Sequence, residues 1–233
     1  MVTMFGEIDA SGIEEVRDGF RREGKRPPSY TAFVIKAAGQ TMKRHPEANR
    51  AILGPPFWRR LVQFEAADIA VAIEKHLPYL PGNAFIAPLR SADSRSLDDL
   101  SEALRALPDV NEENSEEYRA YMRVLRYVPR PISTWLVHAP HWFPSLWVRY
   151  RGCACWVNAP SKAGVDAVTT TWPWPITFTF GVVKDRPLVV DSAVTARRTM
   201  PVGMVFDRRI MGGGPASRLF VDFTENLSRG TKL

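Results

Sequence analysis

Apolar positions recur along the chain in two rhythms, one close to every second residue and one close to every third or fourth. Residues 2–8 alternate and predict a strand, after which Asp9 and Ser11 offer capping oxygens to a helix carried by Ile13, Val16 and Phe20. Pro27 and Pro28 interrupt. Ser29 then precedes Phe33, Val34, Ala37, Ala38 and Met42 at helical spacing, and the pattern stops at His45-Pro46. Residues 61–73 and 84–89 are rich in branched apolar side chains and predict buried strands. Ser96, with Asp98 and Asp99 behind it, opens a helix on Leu100, Leu104 and Leu107, its acids near the positive end of the macrodipole. A mixed-charge helix is expected over 112–127. Residues 132–148 follow no single period. Beyond them, 153–158, 175–183, 188–197 and 201–207 predict strands separated by Gly, Pro and Asp, and a helix on Ala216, Leu219, Phe220, Phe223 and Leu227 ends the chain. The layout is α/β (α+β), one large mixed β-sheet flanked by helices.

Composition narrows this picture. A chain of 233 residues with 45% hydrophobic and 24% charged residues can bury an ordinary core, and one domain over 1–233 is expected. A net charge of +6 favours anionic partners. The basic residues are spread along the chain, with no zinc-finger spacing, RNA-binding aromatic signature or basic zipper, so neither nucleic acid nor a metal is expected. Cys153 and Cys155 occupy alternate positions of a predicted strand, too close for an easy disulfide, and read as buried thiols in a reducing compartment. Residues 1–9 carry an early Glu and no apolar core of signal length, so a cytoplasmic location is expected. Over 123–151, Arg123, Arg126, Arg130, Arg149 and Arg151 interleave with Trp135, Trp142, Phe143 and Trp147. Such a segment suits a buried wall or a subunit contact, the preferred reading, and also a membrane surface. Pro140 and Pro144 exclude a spanning helix.

Several short words occur in a fixed order: Glu7-Ile-Asp9 with Arg17 eight positions after the Asp; Tyr30-Thr-Ala-Phe-Val-Ile-Lys-Ala37 with His45-Pro46 and Asn49; Asp68-Ile-Ala-Val-Ala72; Ile86-Ala-Pro-Leu-Arg90; Ser96-Leu-Asp-Asp-Leu100; Gly181-Val-Val-Lys-Asp-Arg-Pro187; and Pro201-Val-Gly-Met-Val-Phe-Asp207. In this order and spacing they resemble the catalytic domain of the dihydrolipoamide acyltransferases of 2-oxoacid dehydrogenase complexes. The resemblance spans nearly the whole chain and implies the chloramphenicol acetyltransferase-like fold.

The family's catalytic turn reads Asp-His-Arg-x-x-Asp-Gly, its His being the general base. Here that place reads Asp207-Arg-Arg-Ile-Met-Gly-Gly213. Arg208 stands where the base would be and Gly212 where the acid would be, and an Arg does not deprotonate near neutral pH. The family's Gly-Thr-Phe-Thr-Ile-Ser-Asn strand supplies an oxyanion donor from its Ser; Gly152-Cys-Ala-Cys-Trp-Val-Asn158 puts Val157 there and keeps Asn158. The resemblance therefore implies loss of proton transfer and of oxyanion stabilisation. Arg17, which in the family pairs with the missing acid, is expected to be free for a ligand or to serve a surface or interface. Gly212-Gly-Gly214 reads as a flexible turn more than as an anion nest, and His138 and His141 as surface or structural residues.

Members of the fold form trimers whose channels admit coenzyme A or a pantetheine-like arm between subunits. The resemblance thus implies a homotrimer that binds an acyl thioester or another small anion through Arg208, Arg17 and Asn158, requires no cofactor and lacks the standard acyl transfer. With no lipoyl or subunit-binding domain in these residues, the chain is expected to stand alone. Two alternatives stay open: an active enzyme in which Arg208 binds an anionic substrate and positioning supplies the catalysis, and a membrane-surface or assembly module.

Overall fold

In the computed structural model, which describes residues 1–77, 80–159, 164–170, 173–190 and 192–231, the alternating first residues form β1 (Val2–Asp9). Asp9 Oδ1 accepts from the Ser11 backbone N–H at 2.8 Å and from its hydroxyl at 2.5 Å, and this turns the chain into α1 (Ser11–Arg22). Ser29 caps α2 (Tyr30–Arg44), accepting from the Ala32 N–H at 3.2 Å. There follow β2 (Arg50–Leu53), β3 (Arg60–Gln63), β4 (Ile69–Leu77) and β5 (Leu80–Leu89). Ser96 and Asp99 make a reciprocal capping box on α3 (Leu97–Ala106). The chain continues through α4 (Glu116–Tyr127), α5 (Arg130–His138), α6 (Pro144–Arg151), β6 (Cys155–Asn158), β7 (Ile176–Phe180), β8 (Lys184–Val190), β9 (Ala193–Phe206) and α7 (Gly213–Ser228).

A seven-stranded mixed sheet runs in the order β1-β9-β7-β6-β4-β5, with β8 beside the first half of β9. β6 is parallel to both β4 and β7, and the other pairings are antiparallel. β9 is long enough to serve two partners in succession along one edge. Its residues 193–199 pair with β8 and 202–206 with β7, while β1 occupies the opposite edge from 199 onward. Helices α2 and α7 pack on one face, where Phe178 stacks on Phe223 with ring centroids 4.1 Å apart. Register puts Val157 and Met204 on that same face and sends Trp156, Asn158, Thr177 and Thr179 to the other. α1 lies so close to the end of α7 that a Cβ on Gly12 would sit 2.2 Å from the Ser228 carbonyl oxygen.

The expected large mixed sheet with flanking helices is therefore present, with local differences. The single strand expected over 61–73 is two strands in different sheets, because β3 pairs with β2 as a separate hairpin that had no apolar signal of its own. The strands expected over 188–197 and 201–207 are also redivided. A turn with Ser192 at φ 65° separates β8 from β9, and β9 then continues unbroken through both predicted segments; Asp191 lies outside the described residues. Cys153 precedes β6 and does not lie on it, although both cysteines are buried free thiols. Burial pushes the Cys153 thiol up to about 12. The unreadable aromatic stretch is a chain of short helices broken at Pro140 and Pro144. Of its aromatics Trp147 is fully buried, whereas Trp135 and Phe143 are more than half exposed.

Two buried polar residues tie these pieces together. Asn49 donates from Nδ2 to the carbonyls of Phe64 and Ala66 at 3.0 and 2.9 Å, and its Oδ1 accepts from the Ala154 N–H at 3.2 Å. Asp68, just before β4, accepts from Arg90 Nη1 at 2.7 Å and from the Ser91 N–H at 2.9 Å. Arg90 also donates to the carbonyls of Val148 and Arg149 near the end of α6. Gly152 ends that helix at φ 78°, ψ −126°, a conformation open to glycine alone, where a Cβ would lie 2.9 Å from the Asp68 carbonyl oxygen. Asn49→Ala leaves one N–H and two carbonyls without their partner and should lower unfolding free energy by about 2–4 kcal/mol in urea titration. A change within experimental error would show that Asn49 does not hold the β2–β3 hairpin against β6.

Candidate functional site

The turn that joins β9 to α7 is shaped by Asp207. Its backbone N–H donates to the Pro175 carbonyl at 2.9 Å, and its carbonyl accepts from the Ile210 N–H at 3.1 Å. Its carboxylate is buried and receives Arg209 three ways: Nε at 3.0 Å to each oxygen, Nη2 at 2.6 Å, and the Arg209 backbone N–H at 2.9 Å. The Arg209 guanidinium holds the Asp207 carboxyl below the usual carboxylate range. Asp207 is thus a structural anion with little basicity near neutral pH. Arg208 points outward from the same turn, exposed, with no hydrogen bond or ion pair among the described residues. Gly212 is the N-cap of α7, and Gly213 and Gly214 form its first turn, so the glycine triplet is the start of a helix and not a flexible loop.

Beside this turn lies a cavity of about 200 Å³, lined by Asp207, Arg209, Trp174 and Leu53 together with His141 and Trp142 from the divergent segment. His141 hangs between α5 and α6. Its carbonyl accepts from the Gly54 N–H at 2.7 Å, and its ring meets Trp147 edge-on at 5.1 Å. Burial, then the positive charge of Arg151, pull the His141 pKa from 6.5 to about 4. It is therefore neutral at pH 7, and its low basicity does not fit it to replace a general base poised near neutrality.

The candidate residues from the sequence do not converge in the single chain. Val157 is buried in the core on the α2/α7 face, away from the surface of the sheet that carries Asn158. Asn158 donates from Nδ2 to Thr170 Oγ1 at 3.0 Å. Arg17, expected to lack a partner, is occupied: it donates to the Pro28 carbonyl at 2.6 Å, lies 3.5 Å from Glu14, and sits 4.3 Å from the Tyr30 ring centre. Glu14 lies one helical turn before it. The guanidinium at the cavity is that of Arg209, not Arg208. Nothing in the spacing of the sequence singles out Arg209 or His141, since their roles arise from segments more than 60 residues apart in the chain.

The strand order, the buried helix pair and a turn opening on Asp207 define a chloramphenicol acetyltransferase-like protein. The model of the 2-oxoacid dehydrogenases acyltransferase (catalytic domain) matches residues 1–119, and the chain belongs to that family. It is 22% identical over 239 aligned residues to the dihydrolipoyllysine-residue succinyltransferase component of the 2-oxoglutarate dehydrogenase complex of Haemophilus influenzae. That alignment covers 100% of this chain and 49% of the relative, so the chain spans about half the length of this curated protein. Among solved structures, a probable dihydrolipoamide acetyltransferase from Listeria monocytogenes superposes with a TM-score of 0.70 at 17% identity, over 99% of this chain and 85% of that one. The cubic core of a pyruvate dehydrogenase multienzyme complex gives 0.70 at 16% identity, over 97% and 81%. A chloramphenicol acetyltransferase gives 0.56 at 14%, over 99% and 88%. At such identities the likeness is one of fold. The family model ends within the first turn of α4, so the segment carrying His141 and the turn at Asp207 both lie beyond it.

The His141 shift has a pH consequence. Its folded pKa lies below its unfolded value, so its contribution to stability is complete above pH 6.5 and is lost as pH falls through about 4. Urea unfolding of the wild type should weaken steadily between pH 6.5 and 4, and His141→Phe, which keeps a ring against Trp147, should flatten that slope. Equal slopes in the two proteins would exclude a buried neutral His141.

Proposed function

We propose that the protein is a homotrimeric member of its family that binds an acyl thioester of the coenzyme A type, or another small anion, in a channel between subunits without carrying out the family's acyl transfer. One observation carries the reading: the turn at Asp207–Gly213 offers an exposed, unpaired guanidinium at Arg208 and no base, because its only carboxylate is engaged by Arg209. A guanidinium in that position would receive a carboxylate or phosphate through charge-assisted hydrogen bonds worth about 1.5–3 kcal/mol each. One structural relative is the cubic core of a pyruvate dehydrogenase multienzyme complex, which supports self-association as part of this reading. Asn158 and Arg17 belong to the proposed site as secondary contacts, Arg17 only after release from Glu14. No cofactor is needed for this role. The buried free thiols Cys153 and Cys155 fit a reducing compartment, and a cytoplasmic location belongs to the same proposal. No helix among the described residues is long and apolar enough to cross a membrane.

The purified protein should not acetylate dihydrolipoamide or chloramphenicol from acetyl-coenzyme A above the uncatalysed rate. Turnover that disappears in Arg208→Ala would reverse this and establish an enzyme that works by positioning. In equilibrium binding, Arg208→Gln should weaken acetyl-coenzyme A at least tenfold, and an unchanged affinity would remove Arg208 from the site. Sedimentation at low micromolar concentration should give a trimer mass. A monomer would leave the fold standing and remove the intersubunit channel.

A further inference from the structure

A second cavity, larger than the one beside Asp207, lies between β5 and the helices α4, α5 and α6, and encloses about 540 Å³. Its walls are apolar: Ile86 from β5, Val124 from α4, Leu136 from α5, Leu146 from α6, and the rings of Trp156 and Trp174. This is the size and lining of a small-molecule pocket. Neither Arg208 nor Asn158 borders it. Apart from Ala84, Phe85 and Ile86, its lining residues follow the part of the chain matched by the family model.

One charge enters this apolar space. Arg151, the last residue of α6, lines the cavity with its guanidinium 5.3 Å from the centre of the Trp174 ring. Its Nε is buried without a hydrogen-bond acceptor, and no carboxylate among the described residues pairs with it. The neighbouring arginines differ. Arg149 lies 2.9 Å from Glu116 and 3.5 Å from Glu117, Arg126 lies 2.8 Å from Glu112, and Arg90 lies 2.7 Å from Asp68. Burial lowers the pKa of Arg151, yet a guanidinium keeps its proton in a protein. Arg151 as a whole is part-buried, and a cation that is partly desolvated with no counter-charge beside it costs stability. The second unsatisfied group is also a donor: the Trp156 Nε1–H is buried without an acceptor, and its ring lies 5.1 Å from that of Trp174, the residue on which Arg151 rests.

Beside the hydroxyls of Tyr121 and Tyr150, the cavity presents two buried donor atoms with no acceptor among the described residues and a long apolar wall, and its complement is a molecule with acceptors at one end and hydrocarbon at the other. We propose that this pocket binds a medium-chain aliphatic carboxylate, its carboxylate on Arg151 and the Trp156 N–H and its chain along Ile86, Val124, Leu136 and Leu146. The site lies within one subunit and is separate from the channel assigned to Arg208, so either can fail without the other.

Titration of the full chain with decanoate, read by tryptophan fluorescence and by thermal shift, tests the assignment. Decanoate should saturate and raise Tm, and decanol, which has the chain without the charge, should bind at least tenfold more weakly. Arg151→Gln should lose at least tenfold in decanoate affinity while its unliganded Tm is no lower than that of the wild type, because the substitution removes an uncompensated charge. Val124→Trp, which fills the chain region, should abolish binding, whereas the exposed Arg123→Gln should not change it. Decanoyl-coenzyme A, whose thioester lacks the carboxylate, should not displace decanoate. The proposal is overturned if decanoate does not saturate, if decanol equals it, if Arg151→Gln or Val124→Trp binds as the wild type does, or if the thioester displaces the acid. The decanol comparison uses the wild type alone and decides the question of charge even if Arg151→Gln does not fold.

Discussion

The ion pair between Asp68 and Arg90 is the contact on which the arrangement of the second half of the chain depends. Asp68 stands at the entrance to β4 and Arg90 at the exit from β5, so the pair closes the end of that hairpin at 2.7 Å. The remaining Arg90 donors reach the carbonyls of Val148 and Arg149, and the Asp68 carbonyl accepts from the Cys153 N–H at 3.0 Å. Asp68 is buried and Arg90 is half exposed, so the desolvation cost falls mainly on the carboxylate, where the bonds from Arg90 and the Ser91 N–H offset it. A single charged pair thereby fixes where α6 ends, and with it the start of β6 and the far wall of the apolar cavity.

At the Asp207 turn the same chemistry serves a different end. In the family pattern this place holds a base and an acid; here the carboxylate that remains is satisfied by the residue two positions on. The pairing of Asp207 with Arg209 is local and strong, and it leaves Arg208 outside without a partner. Arg17 has been drawn in the opposite direction, into a cluster with Glu14 and Tyr30. Asp207 and Arg17 are thus each paired within their own segment.

Prolines divide the segment after α4 into short helices, and their indoles do not form one exposed face: Trp147 is buried, Trp142 meets Trp135 at 4.5 Å, and the segment as a whole roofs two cavities that share the wall made by Pro173 and Trp174. One cavity holds a neutral His141 and a paired carboxylate; the other holds hydrocarbon and an unpaired cation. Their contrast is set by the presence or absence of an acid within reach, not by their depth.

Much of this architecture was legible in the residues. Ser29 and the Ser96–Asp99 box mark helix starts because capping acts within a single turn, and β1, β4 and α7 follow from apolar spacing that a strand or helix must bury. The ordered words from Asp9 to Asp207 point to the family. The sequence by itself thus determined the fold class and the main helices and strands. Only the tertiary structure decided that β2 and β3 form their own hairpin, that β9 runs unbroken past its partner β8, and that Arg151 lines an apolar cavity with no acid paired to it among the described residues. The reason is range: periodicity and capping are settled by neighbours a few positions away, whereas charge compensation and the enclosure of space depend on which distant segments the sheet brings side by side.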